Sequence, residues 1–282
     1  MSYRKELNIE KFNMKSIAPD SLCVFIGKRN GGKTFLVKDM LYHKRNIPLG
    51  TVISQTELLN GNFSENIPGT FIHTKFSSDI LKDVFDQQEK KILEKRKMYP
   101  GLTMKQVIEI LKKDIANYVF VVLDDCLSDS KNWKNDPIVQ RIFYEGRHYF
   151  IFFLLTMQVP LGIPPNLRGN LDYVFITFTN NKKDRKTIYE NYSGIFDNFQ
   201  EFSTILDECT MDYNCLVIDN NSRSNRLQDQ VFYYKAVDHG DYKMCDEKAW
   251  AYHAWLTANK KKPKSTSSHQ IKNKVITINK FN

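Results

Sequence analysis

Several stretches of this chain are apolar without interruption and give way abruptly to a glycine or a polar residue: Leu22–Ile26, Tyr118–Leu123, Phe150–Leu155, Tyr173–Ile176 and Cys215–Ile218. A strand with one wet face alternates; an unbroken run of this length reads as a strand buried on both faces. Thr51–Ser54 and Val231–Tyr234 read as further strands, and Thr70–His73 as a short extra one. Between the runs the apolar period changes. Leu36, Val37, Met40 and Leu41 fall on one helical face, as do Ile80, Leu81, Val84, Phe85 and Ile92, and then Val107, Ile110 and Leu111. Pro100-Gly101 interrupts the second and third of these sets, so residues 79–115 are expected to form a helical hairpin whose charges face solvent. Another helix is expected over about 136–148, and helical segments follow residue 180. Strands alternating with helices predict an α/β fold: a mostly parallel central sheet covered on both faces, in three layers.

The order of these elements divides the chain into a lead-in over 1–18, one domain over 19–258 and a tail over 259–282. With 282 residues, 41% apolar and 26% charged, the chain has the composition of a folded globule. No stretch approaches the roughly 20 apolar residues of a membrane span. No apolar segment follows Met1–Glu6, so no secretory signal is expected. Five cysteines show no C-x-x-C pairing and read as small core residues in a reducing compartment. Charge changes the picture of the tail alone. The net charge is +9, and residues 259–282 carry seven lysines and no acid; taking those seven from +9 leaves +2 for the body. Such a basic, flexible tail suits nucleic acid or an anionic surface, or a solvated terminus.

Candidate chemistry begins directly after the first buried run. Gly27-Lys28-Arg29-Asn30-Gly31-Gly32-Lys33-Thr34 matches G-x-x-x-x-G-K-[ST], the phosphate-binding loop. Glycines let successive backbone N–H groups turn toward an anion, the lysine reaches the β- and γ-phosphates, and the threonine hydroxyl ligates Mg²⁺. The strand before the loop and the helix after it are the context the motif requires. Asp124-Asp125 closes the Tyr118–Leu123 run in the Walker B manner. The assignment is Asp124 to Mg²⁺ and Asp125 to the base that activates water. Gln158, just past the next strand, is placed to contact the γ-phosphate or the attacking water. Arg147 is the first candidate for an arginine finger, acting in the same chain or on a neighbour, with Arg29 and Arg168 behind it. His148 has no metal-ligand partner at usable spacing.

Taken in order, Gly27–Thr34, Val119–Asp125, Gly146-Arg147-His148, Thr156-Met157-Gln158 and the segment Pro164–Phe175 resemble the poxvirus-type DNA-packaging ATPases of nucleocytoplasmic large DNA viruses, within the FtsK–HerA group of P-loop motors. The resemblance covers roughly residues 18–220. It implies an additional-strand ATPase core, with the Gln158 strand between the phosphate-loop strand and the Walker B strand. It also implies ATP and Mg²⁺ as cofactors and a homo-oligomeric ring acting on double-stranded DNA. Capsid or inner-membrane packaging proteins would be further partners, with the host cytoplasm, at the viral factory, and the virion as locations. Asp125 stands where many cellular relatives carry Glu, one methylene longer. No nuclease constellation accompanies the motor motifs. A cellular-type DNA-pumping ATPase, a nucleotide-binding switch or scaffold, and a small-molecule kinase are the rival readings. Asp124-Asp125 and Gln158 suit water activation and weaken the kinase reading.

Overall fold

The computed structural model describes residues 7–126 and 135–260. Among the described residues, nine strands form a single sheet: β1 (Glu10–Lys11), β2 (Leu22–Ile26), β3 (Leu49–Ser54), β4 (Ile72–His73), β5 (Val119–Asp124), β6 (Ile151–Met157), β7 (Tyr173–Thr177), β8 (Asn214–Asp219) and β9 (Val231–Lys235). Their spatial order is β1-β9-β8-β7-β2-β6-β5-β3-β4. Among the described strands β8 runs antiparallel to both neighbours, and the other pairings are parallel. Every residue of β2, β5, β6 and β7 is buried, which is why their sequences do not alternate.

The strand pleat sorts these residues into two cores. Leu22, Val24 and Ile26 pack on one face with Val121, Phe153 and Leu155, beneath helices α2 (Ser78–Lys97) and α4 (Pro137–Glu145). The helices α5 (Lys182–Tyr192) and α6 (Phe199–Cys209) cover the same face through Ile188, Phe202 and Leu206. Cys23 and Phe25 pack on the other face with Phe120 and Phe152, beneath α1 (Lys33–His43) and α3 (Met104–Leu111). The three-layer expectation therefore holds. The hairpin expected over 79–115 is α2 and α3. The helix start at α3 is fixed by a capping box between Thr103 and Gln106. On β2 and β7, Phe25 stacks on Phe175 with centroids 4.8 Å apart, which adds about 0.5–1.5 kcal/mol beyond burial to the register of the strand feeding the phosphate loop.

Each end of the domain carries an element that the apolar pattern did not announce. The described part of the lead-in packs into the domain: Phe12, Met14 and Ile17 are buried, and β1 adds the outermost strand by pairing with β9. Only two residues pair, too few to leave a period-2 signature in the sequence. At the other end α7 (Glu247–Lys260) docks through Trp250, whose indole N–H donates to the Met244 carbonyl at 2.8 Å. The remaining tail, residues 261–282, lies outside the described residues.

Candidate functional site

The parallel strands bring the predicted site together at their carboxyl ends. β6 pairs with β2 on one side and β5 on the other, so Gln158 emerges between the phosphate loop and Asp124-Asp125. This is the additional-strand arrangement. The three segments surround a cleft of about 740 Å³ lined by residues 29–35, Lys38, Thr56, Asn60, Asn62, Asp124, Asp125, Thr156 and Gln158.

The loop's conformation explains its glycines. Gly32 has φ 84°, a left-handed conformation that side chains rarely adopt, and it caps α1. Asn30 is also left-handed, at φ 60°, a region that asparagine tolerates better than most residues. Gly27 has a different reason: a Cβ there would stand 1.8 Å from Thr177 Oγ1. Lys33 is buried and folds back over the loop, its Nζ donating to the Gly27 and Lys28 carbonyls at 2.8 Å each. Burial lowers the Lys33 pKa from its ordinary value, while the charges of Asp125 and Asp124 act in the opposite direction.

Asp124 is the most enclosed acid of the cleft, 2% exposed. Thr156 Oγ1 donates to its Oδ1 at 2.9 Å, Thr34 Oγ1 to the same oxygen at 3.4 Å, and Ser54 Oγ to its Oδ2 at 3.3 Å. Burial pushes this carboxyl up, the three hydroxyls pull it down, and the neighbouring Asp125 adds to the upward push. A hydroxyl and a buried carboxylate facing each other at this distance form an oxygen donor pair of the kind Mg²⁺ takes. Asp125 has φ 51°; its backbone N–H donates to Thr156 Oγ1 at 2.9 Å, and its carboxylate accepts from the Gln158 amide. Ser54 and Thr156 escaped sequence reasoning. Their signal is a hydroxyl residue at the carboxyl end of an apolar strand, which is weak by itself.

Two arginines are not brought to this cleft. Arg147 precedes β6, at the amino ends of the strands, opposite the phosphate loop. There its guanidinium pairs with Asp172 at 3.4 Å. A role for Arg147 at the site of its own chain is therefore corrected: the sequence interval to Gln158 is short, but the seven residues of β6 separate the two ends. Arg168 is held by the Ile163 carbonyl at 2.9 Å and by Asn191, and lies over the Tyr192 ring. Arg29 does line the cleft. His148 is exposed beside Arg147.

Sheet order, phosphate loop and inserted strand define the class: a P-loop NTPase fold with an additional strand. Among solved structures, the pCW3 conjugation coupling protein TcpA, in its monomer form with ATPγS, matches with a TM-score of 0.52 at 10% identity, over 85% of this chain and 66% of that one. The genome packaging NTPase B204 from Sulfolobus turreted icosahedral virus 2, in complex with ATPγS, matches with a TM-score of 0.49 at 15% identity, over 79% and 100%. No family model matches the chain. An uncharacterized protein of Acanthamoeba polyphaga mimivirus is 36% identical over 238 residues, covering 84% of this chain and 80% of that protein. The chain belongs to the same protein family as that mimivirus protein.

Proposed function

We propose that this protein is a Mg²⁺-dependent ATPase that moves double-stranded DNA during viral genome packaging. The observation that carries the reading is the meeting of Thr34, Asp124, Asp125 and Gln158 at one cleft, with β6 inserted between β2 and β5. A conjugation coupling protein whose structure was solved with ATPγS shares the fold, and a viral protein shares the family. The order of motifs that resembles packaging ATPases supplies the cargo.

In this reading the loop amides and Lys33 bind phosphate, and Lys33 exchanges its two carbonyl contacts for the phosphate oxygens. Thr34 and Asp124 hold Mg²⁺, which supplies charge neutralisation at the phosphates. Asp125 takes the proton of the attacking water, a role worth about 10²–10⁴-fold in rate. Gln158, hydrogen-bonded to Asp125, positions that carboxylate and senses the terminal phosphate. Arg147, at the far end of the sheet, reaches a nucleotide only if a neighbouring copy presents it, as in a ring. Residues 28–32 shape the loop, and Arg29 lies at its mouth.

ATP turnover with and without double-stranded DNA tests this reading. Stimulation by DNA, lost in Lys33→Ala, is expected. Turnover that DNA leaves unchanged would favour a switch or scaffold, and unchanged turnover in Lys33→Ala would remove the phosphate-loop assignment.

A further inference from the structure

A second cluster of ligating side chains lies on the same helix as the phosphate loop but outside the cleft. Asp39, six residues beyond Lys33 on α1, has a fully buried carboxylate. Its Oδ2 accepts hydrogen bonds from the Tyr234 hydroxyl at 2.6 Å and the Val237 backbone N–H at 3.0 Å. Those two bonds fix the carboxylate and leave Oδ1 facing two imidazoles. His239 Nε2 lies 2.6 Å from Oδ1, and His43 Nε2 lies 3.3 Å from it. The three ligand atoms are all within 4.8 Å of one another. Nothing in the nucleotide chemistry uses them.

We propose that Asp39, His43 and His239 form a binding site for a divalent transition-metal ion of the zinc class. The donor set is two imidazole nitrogens and one carboxylate oxygen, which suits borderline ions such as Zn²⁺ and not Mg²⁺ or Ca²⁺. Asp39 and His43 stand at i and i+4, so one face of α1 presents both toward the same point. Both imidazoles converge through the same ring nitrogen on one oxygen, each in the tautomer that keeps its proton on Nδ1 when a metal binds. Ligands about 2.0–2.1 Å from a tetrahedral ion stand about 3.3 Å from one another. Asp39 and His43 already have that separation, and His239 has to back away from its 2.6 Å contact with Asp39 while the three ligand atoms, all within 4.8 Å of one another, close around the ion.

The surroundings behave as a supporting shell. Tyr42 stacks on the His239 ring, with centroids 3.6 Å apart and planes 6° apart, and Tyr242 meets Tyr42 edge-on at 5.4 Å. Tyr234 and Val237 orient the carboxylate, as outer partners of metal ligands do. A dication here would neutralise the buried carboxylate. It would also clamp the last turn of α1 to the segment following β9, bracing the helix whose other end carries Lys33 and Thr34.

The test uses the full chain, stripped with a chelator and dialysed. Titration with Zn²⁺ should saturate at one ion per chain and raise Tm. Co²⁺ should give visible d–d absorption without thiolate charge-transfer bands, which separates this site from the free cysteines. His43→Ala and His239→Ala should each weaken binding by at least tenfold; His43→Gln serves if either fails to fold by circular dichroism. Asp124→Asn, which removes the acid assigned to Mg²⁺, should bind Zn²⁺ like the parent, keeping this site distinct from the nucleotide site. Absence of saturable binding would overturn the proposal and leave a hydrogen-bonded clasp. Thiolate bands, or unchanged affinity in the histidine variants, would overturn it as well.

Discussion

The side-chain amide of Gln158 donates a hydrogen bond to the carboxylate of Asp125, joining the ends of two adjacent strands across the mouth of the nucleotide cleft. Asp125 has φ 51°, so its carboxylate direction depends on what holds it. Two groups do so: Gln158 at the carboxylate and Thr156 at the backbone N–H. Asp125→Asn is therefore expected to retain nucleotide affinity and lose about 10²–10⁴-fold in kcat. Gln158→Ala should lower kcat by less, because the base stays while its orientation is lost. Single-turnover hydrolysis beside nucleotide titration separates the two effects. Wild-type kcat in Asp125→Asn would remove the base role.

Gly27 and Thr177 set a steric test of the loop. An alanine at 27 places its Cβ 1.8 Å from Thr177 Oγ1 and 3.1 Å from Thr177 Cβ. Gly27→Ala is expected to destabilise the fold by about 1–3 kcal/mol, the usual range for overpacking. Adding Thr177→Ala removes the nearest atom, so the double variant should recover part of the loss. Urea unfolding of the four proteins in the cycle measures this coupling. Strict additivity would show that the clash is relieved elsewhere.

Asp172 and Arg147 predict a pH-dependent difference. Burial pushes the Asp172 carboxyl above its ordinary value, while the Leu22 N–H, which donates to it at 2.8 Å, and Arg147 pull it back. A carboxyl raised on folding contributes stability below its unfolded pKa of about 3.9, and loses that contribution as pH rises through its folded pKa. Arg147→Ala removes one of the opposing influences and raises the folded pKa further. Because Arg147 is half exposed, the expected loss at pH 7 is only about 0.2–1 kcal/mol. The loss should shrink toward pH 4. Equal losses at both pH values in urea melts would mean that Arg147 acts through packing alone.

The lysines beyond residue 260 predict a salt effect. Removal of residues 261–282 takes away six lysines. If they meet DNA phosphates, each contact contributes about 0.9 to the slope of log affinity against log salt. The shortened protein should bind double-stranded DNA more weakly and with a shallower slope, while its DNA-independent ATPase rate stays the same. Unaltered affinity would refute a DNA role for the tail.

Much of this site was legible in the chain because its signals are local. The loop from Gly27 to Thr34 needs its residue types at fixed spacing, and unbroken apolar runs announce strands covered on both faces. Asp124 and Gln158 could be ranked because each closes such a run, and parallel strands place all such ends on one edge of the sheet. The position of β6 between β2 and β5 came from a family resemblance, since pairing order leaves no local trace. Tertiary structure alone decided the rest. It placed Ser54 and Thr156 on the Asp124 carboxylate from strands on either side. It carried Arg147 to the opposite end of the sheet from Gln158, although only ten residues separate them in sequence. It turned the lead-in into an edge strand, and it folded His239 onto Asp39 across 200 residues. Helix and strand periodicity is written in neighbouring side chains. Which distant groups share a point in space is settled by the order in which strands pair, and no short window of sequence encodes that order.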